Sequence, residues 1–161
     1  MYVCFDGDND IHYYRLMTAW KKNTKIDFYF HDAHDLNTAK DSSVEETIKR
    51  KLRDRFANSK VFVVLIGEKT RYLTKFVKWE MEVALSLGLP IIGVNLNKKK
   101  TFDSERCPST IKEELVVYTS FNPKIIQHAL DDWPDSHIKY KKEGKNGPYS
   151  YMDSVYERLD I

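Results

Sequence analysis

The chain has 161 residues, 26 basic against 24 acidic side chains, and a net charge of +2. That length suits one well-buried core rather than two, and the interspersed charge gives no electrostatic footprint for nucleic acid. Two cysteines, Cys4 and Cys107, stand in different contexts without metal-type pairing. No apolar run approaches the ~18 residues of a membrane span, so a cytoplasmic, reducing setting without membrane attachment is the expectation.

Short apolar runs alternate with amphipathic stretches, which predicts an α/β fold with a parallel sheet. The first strand is predicted at Tyr2 to Phe5, followed by a helix with Tyr13, Leu16, Met17 and Trp20 on one side, capped by Asp8-Asn9-Asp10. A second strand is predicted at Ile26 to Phe30. The next helix opens with the capping-box pattern Ser43-Val44-Glu45-Glu46 and turns Val44, Ile48, Leu52 and Phe56 inward. Val61 to Ile66 is continuously apolar, as a strand covered on both faces should be. A third helix around Phe76 to Leu87 ends at Gly88, and strands follow at Pro90 to Asn95 and Leu115 to Tyr118. Between those two strands runs a long polar connection, with a short helix near Ser109. The fourth helix is predicted at Pro123 to Asp132, with Ile125, Ile126 and Leu130 buried. After Pro148, residues Met152, Val155, Tyr156 and Leu159 share a helical face. The expected organisation is a domain over 1–133 and an extension over 134–161, packed on the domain or on a partner.

Glu80 is out of pattern. At roughly 100° per residue, Phe76, Val77, Val83, Ala84 and Leu87 form one apolar face and Glu80 falls within it, while Lys78, Glu82 and Ser86 already supply the polar side. A carboxylate so placed must be paired, neutralised or open to a cleft, and such carboxylates often belong to active sites. The loops expected at the carboxyl edge of the sheet are Asp6 to Asp10, His31 to Asp35 and Gly67 to Arg71. Asp6-x-Asp8-x-Asp10 fails as a calcium loop because Ile11 and Met17 occupy the positions that need Gly and Glu. As a haloacid-dehalogenase-like nucleophile motif it departs at Asp10, and as a phosphoreceiver pocket it lacks the acceptor Asp and the Lys. A helix cap explains part of the cluster but not Asp6. His31-x-x-His34 lacks a convincing third metal ligand, and no P-loop, glycine-rich dinucleotide motif or nucleophile elbow is present.

Four segments, in order and spacing, resemble the TIR-like family of Thoeris anti-phage proteins of the ThsB type. They are Val3-Cys4-Phe5-Asp6-x-Asp8-Asn9-Asp10, Val63-Val64-Leu65-Ile66-Gly67-Glu68-x-Thr70, Phe76-Val77-Lys78-Trp79-Glu80 and Leu89-Pro90-Ile91-Ile92-Gly93-Val94. The resemblance runs from about residue 2 to residue 133. It implies a flavodoxin-like, five-stranded, mainly parallel core and an enzyme that cleaves NAD at the nicotinamide–ribose bond, with NAD as substrate and no cofactor or metal. The product implied is a cyclic or conjugated ADP-ribose that reaches a separate effector, after a phage-derived trigger. The resemblance carries the catalytic glutamate onto Glu80, and places Phe5, Asp6, Asn9, Asp10 and Phe76 at the substrate, with the loop His31 to Ser42 as a cover. Phe76 stands where the family usually has Trp, so an aromatic wall is kept and an indole N–H is lost. The resemblance also allows a homo-oligomer. The other readings are a catalytically silent TIR-like interaction module and a flavodoxin-like or phosphatase-like small-molecule enzyme.

Overall fold

The structure, a computed structural model, describes residues 1–29 and 45–161. In chain order it contains β1 (Tyr2–Cys4), α1 (Ile11–Lys22), α2 (Glu45–Phe56), β2 (Phe62–Ile66), α3 (Phe76–Ser86), β3 (Ile91–Asn95), β4 (Val116–Ser120), α4 (Pro123–Lys142), β5 (Pro148–Ser150) and α5 (Asp153–Arg158). All five described strands are parallel and lie in the order β1-β2-β3-β4-β5, with Val3 opposite Val63, Val63 opposite Ile92 and Ile92 opposite Val117. The fold is therefore the expected flavodoxin-like α/β sandwich. Period-two alternation divides its core into two layers. Tyr2, Cys4, Val64, Ile66 and Tyr118 pack with α2 and α3 on one face, while Val3, Phe5, Val63, Leu65, Ile92 and Val94 pack with α1 and α4 on the other.

Strand membership differs from the sequence expectation. Ile26 to Tyr29 is not a strand: Phe28 N donates to Ile26 O, a tight local bond incompatible with a ladder, and Tyr29 N donates to the Gln127 side chain on α4. Phe28 is buried by a ring contact with Trp20 rather than by sheet pairing. Phe30, the His31 to Ser42 loop and the Ser43-Val44 start of the capping box lie outside the described residues. The fifth strand comes from the tail, where Pro148 opens β5 against β4; proline is tolerated on an edge because no ladder donor is required there.

The helices also depart in detail. On α1 the buried residues are Tyr14 and Met17, whereas Leu16 is exposed. On α4 the helix passes Asp132 and continues through Pro134 to Lys142. An interior proline costs about 3 kcal/mol, and Pro134 is flanked by the buried Trp133 and His137. Asn122 caps α4 by accepting from Lys124 N, and three lysines in its last turn complement the helix dipole.

The tail folds back on its own sheet. Of the apolar stripe predicted there, Val155, Tyr156 and Leu159 lie in α5 or at its end and turn inward, whereas Met152 precedes the helix and is exposed. Tyr156 is its buried anchor: the hydroxyl donates to Lys100 O and accepts from Ser120 N, and Lys124 Nζ donates to Leu159 O. Cys107, within the long connection between β3 and β4, is buried under Tyr118 with its Sγ 3.2 Å from the phenol oxygen. Among the described residues no helix is long and apolar enough to cross a membrane.

Candidate active site

Glu80 occupies an apolar seam. Val77, Met81, Val83 and Ala84 are the buried residues of α3, so the carboxylate shares the inward side of the helix, half-buried against β1. Phe76 and Leu87 lie further out than the sequence pattern implies. Phe76 is half-buried in an edge contact with Trp79, at 5.5 Å between ring centroids, and Leu87 is exposed.

The first strand supplies the partners of Glu80. Tyr2 and Cys4 are two apart, so both project toward α3. The Tyr2 hydroxyl donates to Glu80 Oε1 at 2.8 Å, and the Cys4 thiol lies 3.9 Å from Val77 O on the same helix. Burial pushes the Glu80 carboxyl above its ordinary pKa, while hydrogen bonds from Cys4 and Tyr2 and the charge of Arg55 pull it back. Burial, reinforced by the glutamate's own charge, holds the Tyr2 phenol and Cys4 thiol well above their ordinary values. Both therefore remain neutral donors facing a carboxylate. Glu82, one turn-face away, is a solvent-side residue paired with Lys49 at 2.7 Å and Lys78 at 3.6 Å.

At the carboxyl end of β1 the acidic cluster is organised by Asp6. Its Oδ1 accepts from the backbone N–H of Asp8 and Asn9, and its Oδ2 from Asn9 Nδ2, so the residue that a helix cap leaves unexplained closes the turn into α1. Asp10, at the N-cap of α1, makes no side-chain cap bond. The residue is 7% exposed, and its buried Oδ2 has no hydrogen-bond partner. Burial and the neighbouring Asp6 charge raise its pKa, opposed by His12, the Thr70 hydroxyl and Arg106. Gly67 lies directly against this carboxyl, where a Cβ would overlap it.

A cavity of about 310 Å³ opens here, lined by Asn9, Asp10, His12, Tyr13, Gly67, Glu68, Lys69, Leu96 and Arg106. The structure thus brings together Asn9 and Asp10, with Asp6 behind them. Glu80 and Phe76 are not among the lining residues. Phe5 is buried on the other sheet face from Tyr2 and Cys4, its ring stacked on Tyr14 at 4.8 Å. Sequence reasoning missed Tyr2 and Cys4 as partners of Glu80, although strand alternation with two polar-tipped residues facing one helix is a readable signal. It also missed Arg106, for which a long polar connection offers none. Among the described residues no three His, Cys, Asp or Glu side chains are grouped to hold a metal ion.

Residues 2–101 match the family described as Thoeris protein ThsB, TIR-like domain. No curated protein matches the chain significantly.

Proposed function

The chain belongs to the Thoeris ThsB TIR-like domain family, and hence to anti-phage defence, and from that premise we propose that it cleaves NAD at the nicotinamide–ribose bond, with Glu80 as the catalytic carboxylate. The observation that carries this reading is Glu80 itself: a carboxylate in an apolar seam at the first turns of α3, fixed by Tyr2 at 2.8 Å. Departure of nicotinamide leaves an oxocarbenium-like ribose, and a carboxylate already held in place stabilises that charge without reorganising. Tyr2, a neutral donor, fixes the carboxylate without cancelling its charge, and the neutral Cys4 thiol beside it leaves that charge in place. The ADP-ribose released or cyclised would serve as a diffusible signal to a separate effector. Asn9, Asp10 and, behind them, Asp6 would form the nucleotide side of the site, with Phe76 as an aromatic neighbour.

An interaction module is the second reading, favoured by one observation: Glu80 is satisfied inside the fold by Tyr2 and is not part of the cavity at the strand ends. Incubation of the full chain with NAD, in extract from phage-infected cells, separates the two. Nicotinamide release supports the enzyme; its absence under both infected and uninfected conditions supports the module.

A further inference from the structure

A second cavity, of about 130 Å³, lies at the amino edge of the sheet, where Leu89 precedes β3 and Leu115 precedes β4. Leu85, Leu89 and Leu115 make its apolar wall. The end of α4 and the turn into β5 add His137, Lys141, Lys145 and Asn146, and Glu114 is the acid among the lining residues. The volume is the liquid share of about four waters, room for a small ion and too little for a nucleotide.

The polar groups around it are not used by the fold. His137 is 7% exposed and forms no hydrogen bond among the described residues, its ring meeting Trp133 edge-on at 6.0 Å. Burial and the charge of Lys141 lower its pKa, so the imidazole is neutral near pH 7 and offers one N–H and one lone pair. Lys141, one turn further along α4, holds its ammonium 3.0 Å from where a Cβ at Gly88 would stand, just past the end of α3. It does not cap that helix. Val83 O, Ala84 O and Leu85 O already accept from the backbone N–H groups of Leu87, Leu89 and Gly88. Among the described residues Lys141 forms neither a salt bridge nor a side-chain hydrogen bond, and the half-buried Glu114 carboxylate is likewise unpaired. Lys145, by contrast, is held by Glu143 at 2.7 Å.

A free ammonium, a free carboxylate and a neutral imidazole around one small space select their ligand. A metal ion would be repelled by Lys141 and Lys145, and a fully deprotonated oxyanion by Glu114. An oxyanion that keeps a proton at neutral pH satisfies both sides, because its oxygens accept from the lysines and the Asn146 amide while its hydroxyl donates to Glu114. Inorganic phosphate keeps such a hydroxyl, and sulfate, of the same shape, does not. A phosphomonoester, with its second pKa near about 6, has largely lost it.

We propose that this cavity binds inorganic phosphate, with Lys141 and Lys145 on its oxygens, His137 donating from the buried side and Glu114 accepting from its hydroxyl. The site is separate from the cavity at the strand ends and does not depend on the fate of NAD. Leu85 and Gly88 close the helix that carries Glu80, so phosphate in the cavity stabilises the end of that helix by mass action.

Titration of the full chain with phosphate and with sulfate, near neutral pH and at matched ionic strength, tests this by affinity and by backbone amide signals. Phosphate should shift the amides of Leu85, Gly88, Leu89, Leu115 and Asn146, and sulfate should bind about tenfold or more weakly. Lys141→Ala, an exposed substitution whose folding circular dichroism verifies, should weaken phosphate binding by about tenfold or more. Glu114→Gln should let sulfate bind as well as phosphate, because the new amide donates to a deprotonated oxygen. No shift of these amides with phosphate, an equal response of wild type to sulfate, or unchanged affinity in Lys141→Ala would each overturn the proposal. Shifts confined to Asn9, Gly67 and Leu96 would do the same, by placing the ion in the other cavity.

Discussion

Tyr2→Phe isolates the bond that holds Glu80. The phenol ring is fully buried against Phe56 and Phe62, at centroid distances of 4.4 Å and 5.8 Å, so the substitution keeps the packing and deletes the hydroxyl that donates to Oε1. A hydrogen bond to a charged group contributes about 1.5–3 kcal/mol, and a domain of this size shifts by about 2–4 °C per kcal/mol. A fall of roughly 3–12 °C in Tm is therefore expected near neutral pH. The loss should depend on pH with a defined sign. Burial has raised the Glu80 carboxyl above its ordinary pKa, so the folded state takes up its proton first as pH falls. Below the folded pKa the carboxyl is neutral and the lost bond is an ordinary one, so the gap between variant and wild type should narrow on acidification. Thermal unfolding by circular dichroism at a series of pH values measures this. A variant as stable as wild type at neutral pH, or a gap that does not change with pH, would refute the assignment of Tyr2 as the donor that stabilises the ionised glutamate.

Gly67→Ala should be destabilising by about 1–3 kcal/mol, because the new Cβ displaces the buried Asp10 carboxyl; unchanged denaturant midpoints would show that the carboxyl moves freely. Glu82→Gln, which loosens only partly exposed pairs with Lys49 and Lys78, should cost less than about 1 kcal/mol and leave NAD turnover intact, as chromatographic assay of nicotinamide would register. The pH–rate profile for NAD cleavage should show an acid limb displaced above the usual carboxyl range, with activity rising as Glu80 loses its proton; a flat profile through that range contradicts an ionised Glu80 in the rate-limiting step.

Long-range pairing and local pattern were unequally legible in the sequence. Val61 to Ile66 and Pro90 to Asn95 read correctly because continuous apolar runs can only be central parallel strands once helices flank them. Ile26 to Tyr29 misled because its alternation is real, but Phe28 finds burial against Trp20 without a ladder. The tail hid β5 for the opposite reason: Pro148-Tyr149-Ser150 has no strand pattern of its own and is a strand only because the β4 edge is open to it. At the site, Glu80 stood out because helical periodicity makes a misplaced acid visible. Asp6 was legible as a cluster and not as a turn, since only the backbone geometry shows which N–H groups it accepts from. Arg106 could not be found at all, because its place beside Asp10 depends on how a long connection after β3 returns to the strand ends.

The central claim is that Glu80 carries the chemistry, and nicotinamide release from NAD by Glu80→Gln tests it most directly. Glutamine keeps the side-chain oxygen that accepts from Tyr2 while removing the charge and relieving its burial, so the variant should fold at least as well as wild type. Under conditions in which the wild-type chain is active, its turnover should fall by a factor of about a hundred or more. A stably folded Glu80→Gln protein that releases nicotinamide at the wild-type rate would contradict it.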